Sequence, residues 1–204
     1  YLRPFFDLPP LTQLLHLHGA VFSAWLVLFV VQTRLVAAHN VRAHMKLGIA
    51  GAVLAALVVV LGVVAALVTA GIPHPRPLGL SGQQFLAVSL TGIVLFACCV
   101  ASALALRRRP AFHKRLMVLA MIAVLGPPVA RLILWAGAGK YFPVVQTSVS
   151  AVFVAWCLTD DWIRNRIVHP VFAIGGTVLV LSWPARFALA KSALWLGIGE
   201  WLTA

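Results

Sequence analysis

From Leu47 to Ile72 the chain runs without one charged side chain. A helix rises 1.5 Å per residue, so a run of this length exceeds the roughly 30 Å of hydrocarbon in a bilayer. Together with five other apolar runs it gives six candidate spans, near 14–37, 45–70, 82–106, 113–136, 143–163 and 170–190. Composition agrees: 62% of residues are apolar, 10% are charged, and the mean hydropathy is +1.01. A soluble domain spends about a quarter of its residues on charge, so a soluble globule, a disordered chain and a disulfide scaffold are excluded. No segment shows the period-two alternation of a membrane barrel. The sequence predicts an all-α integral membrane bundle of six transmembrane helices with a short interfacial C-terminal helix, forming a single domain over 1–204.

The net charge is +12, from 16 Lys and Arg against 4 Asp and Glu. In a soluble chain that balance points to nucleic acid. Here the basic residues lie in short connections between apolar runs, which is the pattern of membrane topology, and nucleic acid is set aside as a partner. Breaks are marked by Gly71-Ile72-Pro73-His74-Pro75-Arg76-Pro77, Arg107-Arg108-Arg109-Pro110 and Gly137-Ala138-Gly139-Lys140. Six crossings place both termini on one side. Arg34, Arg42, Lys46, Arg107, Arg108, Arg109, Lys114, Arg115, Arg164 and Arg166 fall on the other side, outnumbering Arg3, Arg76, Arg131, Lys140, Arg186 and Lys191. The larger group is expected to be cytoplasmic and both termini external. The tail 192–202 is too short to cross and is expected along the outer interface, anchored by Trp195 and Trp201. Cys98, Cys99 and Cys157 lie in apolar runs and read as small buried hydrophobes.

The connections before the second, fourth and sixth spans read Arg42-Ala43-His44-Met45-Lys46, Arg109-Pro110-Ala111-Phe112-His113-Lys114-Arg115 and Arg166-Ile167-Val168-His169-Pro170. Each is basic and sets a histidine at the mouth of a helix; Pro128 with Arg131 and Pro184 with Arg186 extend the likeness, as three related hairpins would. Three neutral imidazoles at one depth, His44, His113 and His169, could hold a metal ion, and two could hold a heme iron axially. Asp161 would complete a nitrogen and oxygen set suited to zinc or non-heme iron. The plainer readings are interfacial decoration for the histidines, and salt bridges from Asp160 and Asp161 to Arg164 or Arg166. Gly48, Gly51, Ala55 and Gly62 share a face with His44, and Ala173 and Gly176 stand likewise to His169. Such smooth strips admit a flat macrocycle or let neighbouring helices touch. His16 and His18 open the first span, and His18, Trp25 and Gln32 recur at heptad spacing as a polar seam that a second heme or a quinone headgroup could use. Arg131 and Arg186, near helix ends, are expected to snorkel to lipid phosphate. No phosphate-cradling glycine loop, nucleophile turn, His-Glu-x-x-His pair or Cys-x-x-Cys motif is present, and too few carboxylates lie in the spans for a familiar ion-coupled transporter.

His18-Gly19 with Phe22, Trp25, Phe29 and Gln32, then His44 with Leu47-Gly48, then His113-Lys114-Arg115-Leu116-Met117 and Arg131, resemble small bacterial multi-pass membrane proteins of the "domain of unknown function 2306" type. The ending Arg166-Ile167-Val168-His169-Pro170 with Gly175-Gly176, Pro184 and Arg186 resembles them too. The resemblance implies a helical bundle in the bacterial inner (cytoplasmic) membrane and brings no activity with it. Similarity to two-heme b-type membrane cytochromes is looser, since those place paired histidines within facing helices and these sit at helix mouths. The leading expectation is heme b, or otherwise a zinc or non-heme iron ion, bound on the cytoplasmic side for membrane electron transfer. His44 and His113 would be the axial pair, with Gly48 and Gly51 leaving room for the ring. A non-catalytic accessory subunit of a larger membrane complex is the alternative from a different class, and a metal-dependent membrane enzyme using the three histidines and Asp161 is the third.

Overall fold

The computed structural model describes residues 13–72 and 76–203, with side-chain placement omitted at 77. Arg3 of the charge count and Pro73, His74 and Pro75 of the first break lie outside the described residues. The helices are α1 (Gln13–Ala37), α2 (Val41–Ala70), α3 (Gly82–Ala105), α4 (Pro110–Ala123), α5 (Gly126–Trp135), α6 (Phe142–Asn165), α7 (Gly176–Ala190) and α8 (Ala193–Thr203). Among the described residues there is no strand. Six helical segments are long and apolar enough to cross a membrane: Gln13–Ala37, Val41–Ala70, Gly82–Ala105, Pro110–Trp135, Gly139–Asn165 and Val171–Ala190. The chain is a multi-pass, all-helical membrane protein with a short C-terminal helix.

Local chemistry sets the boundaries. Asn40 Oδ1 accepts from the Ala43 N–H at 3.1 Å and starts α2. Ser81 and Gln84 form a reciprocal capping box at the head of α3. Arg76 Nη2 donates to the carbonyls of Thr69 and Ile72 at 2.8 and 2.9 Å, closing the end of α2. The fourth span, expected as one helix, is broken between α4 and α5. Pro127 and Pro128 carry no N–H and crowd the carbonyls one turn earlier, so the helix stops at Ala123 and restarts at Gly126. The last span likewise opens on a π-helical turn, Val171–Gly175, directly after Pro170.

The described residues fall into two compact units, divided between Ala65 and Ala66. In the first, Trp25 is buried on α1, whereas Leu17, Val27 and Val30 are exposed, as suits a lipid-facing helix. The glycine strip of α2 faces the α1 seam: a Cβ on Gly51 would meet Leu28 at 3.4 Å, and one on Gly48 would meet Gln32 at 3.9 Å. That is the packing use of small residues.

In the second unit, Val88, Ile133, Phe142 and Trp183 form one core, and Ala66, Ala70 and Leu86 another. Close helix approach depends on glycine. Any side chain at Gly82 would run into the Ala70 carbonyl, a Cβ on Gly175 would come within 2.6 Å of Leu119, and one on Gly176 within 2.5 Å of Val154. Trp195 of α8 donates from Nε1 to the Gln83 carbonyl at 2.7 Å, which fixes α8 against α3, while Trp201 is exposed. Cys98 is exposed and Cys99 and Cys157 are half-buried, so the expectation of three buried thiols is corrected: they sit on helix faces that an apolar solvent can cover.

Candidate functional site

The sequence-predicted residues of the 66–204 unit divide into a tight ionic pin and two imidazoles held in different ways. Arg115, on the second turn of α4, is 5% exposed, and Asp161, near the end of α6, is 4% exposed. They meet in a bidentate pair, Nε to Oδ2 at 2.8 Å and Nη2 to Oδ1 at 2.5 Å, while Nη1 donates to the Ala111 carbonyl at 2.8 Å. Asp161 also accepts from Asn165 Nδ2 at 3.2 Å and from the His169 backbone N–H at 3.1 Å. Both carboxylate oxygens are thus doubly engaged, which ties α4, α6 and the connection to α7 together. The expected partner for Asp161, Arg164 or Arg166, is corrected to Arg115, 46 positions earlier. Asp160 does pair with Arg164, at 2.6 Å one helical turn on.

His169 sits on this pin. Its Nδ1 accepts the Val171 N–H at 3.2 Å, and the Phe112 ring stands edge-on at 4.6 Å between centroids. A backbone N–H can only donate, so the neutral ring carries its proton on Nε2. Burial first, then the Arg115 guanidinium, hold this imidazole below its ordinary pKa, with Asp161 pulling the other way. Its role here is to close the α6–α7 connection, where Arg166 adopts a left-handed conformation at φ 57°.

His113 is wired in the opposite sense. Pro110 starts α4 after the tight 106–109 turn, and this brings the ring back over the end of α3. There Nδ1 lies 2.9 Å from the carbonyl of Ala103, one of the last-turn oxygens that a helix leaves without an intrahelical partner. A carbonyl oxygen only accepts, so Nδ1 carries the proton and Nε2 holds the lone pair of the neutral ring. An Nδ1–H bond to a backbone carbonyl is the usual support of a histidine that ligates metal through Nε2.

Comparison with known proteins returns no matching family model, no similar curated protein and no similar solved structure. The chemistry is therefore read from the residues themselves.

Among the described residues, no three His, Cys, Asp or Glu side chains gather as a metal ion would need. His44 lies on the first turn of α2, half-buried, one turn before Gly48. His18 packs its ring on Phe22 at 4.2 Å, and His16 is exposed. On the last span, Gly176 is filled by Val154 and Gly175 by Leu119, so that smooth strip serves helix packing.

Two features escaped sequence reasoning. Arg131 is exposed as expected, but Arg186 does not snorkel: it is 3% exposed, with its guanidinium 4.2 Å from the Trp183 ring. The cause is local, since Trp183 and Ser182 occupy the preceding turn of α7 and hold the side chain inward. Beside it lies a buried polar set, in which Trp183 Nε1 donates to Ser150 Oγ at 2.8 Å and Gln146 Nε2 to the Gly126 carbonyl at 2.8 Å. The second bond adds a side-chain donor to the carbonyl of the residue on which α5 starts. Gln146 and Ser150, one turn apart on an otherwise apolar face of α6, were the available signal.

Proposed function

We propose that this multi-pass membrane protein carries an imidazole-ligated iron centre, heme b in the first instance, for electron transfer within the bilayer. The observation that supports this reading is the Nδ1–H bond from His113 to the Ala103 carbonyl, which puts the lone pair of the neutral ring on Nε2, the tautomer that ligating histidines of this kind use. Heme would supply one-electron redox chemistry at a potential set by its axial ligands and their hydrogen bonds. The chain's part is to fix the His113 ring, raise its basicity through the carbonyl bond and surround the site with apolar helix. A zinc or non-heme iron enzyme built on Asp161 and His169 has less support, because Asp161 already satisfies four donors and His169 presents Nε2–H.

The test is the reduced-minus-oxidised absorption spectrum and the metal content of the detergent-purified protein. Sharp visible bands that disappear in His113→Ala and persist in His169→Ala are expected. Bands that survive His113→Ala, or a colourless protein without bound metal, overturn the reading. A colourless protein that purifies with a large membrane partner would favour the accessory-subunit reading instead.

A further inference from the structure

Arg186 is the other guanidinium buried in the 66–204 unit, and its surroundings differ from those of Arg115 in one respect. Arg115 has a carboxylate; Arg186 has none among the described residues. Its Nη2 donates to Ser182 Oγ at 3.0 Å, and its Cζ stands over the Trp183 ring. Its Nη1 fills the space that Gly92 leaves on α3, where a Cβ would lie 3.3 Å away. Nε is buried and donates to no acceptor among the described residues. The described acids are paired or exposed: Asp160 pairs with Arg164, Asp161 with Arg115, and Glu200 is exposed on α8.

A hydroxyl and an indole face supply partial charge and leave the cation's net charge uncompensated. Removing such a charge from water is expensive, and more so within a membrane span, where buried ionisable side chains are found paired or lining ligand and ion paths. A guanidinium retained under these conditions, with its Nε donor open, is arranged for a negative group that the described residues do not provide.

We propose that Arg186 anchors an internal oxyanion site, in which a carboxylate or phosphate oxygen is taken up by the Nε edge of the guanidinium above the Trp183 indole. The same edge of Arg115 holds Asp161. A planar fork matches two oxygens better than a spherical ion, which selects the oxyanion over a halide. The donors are fixed before the ligand arrives. Ser182 orients Nη2, and Trp183 is itself held by Ser150 at 2.8 Å. The oxyanion comes either free from solution or on an amphiphile, and the same chemistry recognises both. This inference is independent of the iron reading, since it uses none of the histidines.

The test is the thermal unfolding of the purified full chain in neutral detergent, in two arms. One titrates sodium phosphate against sodium chloride at matched ionic strength. The other adds phosphatidylglycerol against phosphatidylcholine in mixed micelles. At about 100 times the dissociation constant, a bound oxyanion is expected to raise Tm by about 5–10 °C. A rise in the phosphate arm identifies a soluble oxyanion, and a rise confined to phosphatidylglycerol identifies a lipid. Arg186→Gln should abolish the rise, and Arg186→Lys, which keeps the charge and loses the fork, should weaken the apparent affinity at least tenfold, on the order of one lost charged hydrogen bond. If Arg186→Gln fails to fold, the wild-type titrations and Arg186→Lys still decide. No rise in either arm, an equal rise with chloride, or a rise undiminished in Arg186→Lys overturns the proposal.

Discussion

His113 and His169 occupy equivalent places in the sequence, each beside basic residues at the mouth of a helix, yet their rings are set in opposite senses. His113 donates a hydrogen bond from its Nδ1–H to a carbonyl at the end of α3. His169 accepts one at Nδ1 from the backbone N–H two residues ahead. The first arrangement places the lone pair of the neutral ring on Nε2; the second places it on Nδ1 and locks a connection. A histidine's neighbours in the chain do not decide its role, because the decision rests on which backbone group its ring meets.

The largest expected effect breaks the His169 side. Asp161→Asn leaves Arg115 buried without its anion and should cost about 3–5 kcal/mol in unfolding free energy, while the double replacement Arg115→Met with Asp161→Leu should recover much of it. A loss below about 1 kcal/mol, the range of an exposed pair, would mean that this mouth is not a structural pin. Next is Gly176→Ala, whose added methyl group meets Val154. Overpacking of that kind costs about 1–3 kcal/mol, and a neutral result in denaturant titration would mean that the strip beside His169 has room for more than a helix. Smaller still is His113→Ala, which removes one hydrogen bond and should cost about 1 kcal/mol in the cofactor-free protein. A much larger loss would make His113 a structural clamp like His169.

The smallest effect is a pH dependence. Because the folded pKa of His169 lies below the unfolded value of about 6.5, the unfolded chain binds more protons between the two. The contribution is present above the unfolded pKa and is lost as pH falls through the folded one. Unfolding midpoints should therefore drop on acidification from pH 7 to 5, and less so in His169→Gln. An equal drop in both would assign the sensitivity elsewhere.

The six spans were legible because hydropathy over a bilayer-length window depends on composition alone, and 82–106 or 170–190 needed no tertiary knowledge. Asp160 with Arg164 was legible as neighbours one helical turn apart. Asp161 with Arg115 was not, since a separation of 46 positions and two helix packings decide that contact. The proline pair at 127–128 was visible, but its consequence was not: a break in the fourth span, beside which Gln146 of another helix donates to the Gly126 carbonyl. Arg186 was misread for the same reason. Its place near a helix end suggests snorkelling, and only the packing of Trp183, Ser182 and Gly92 shows it turned inward.

The opposite wiring of the two imidazoles can be measured directly by ¹⁵N NMR of the cofactor-free protein labelled at histidine, with His113→Ala and His169→Gln assigning the signals. At neutral pH, His113 should show a protonated Nδ1 and a pyridine-type Nε2, and His169 the reverse. The same tautomer at both positions, with Nε2 protonated on His113, would contradict the account at its root.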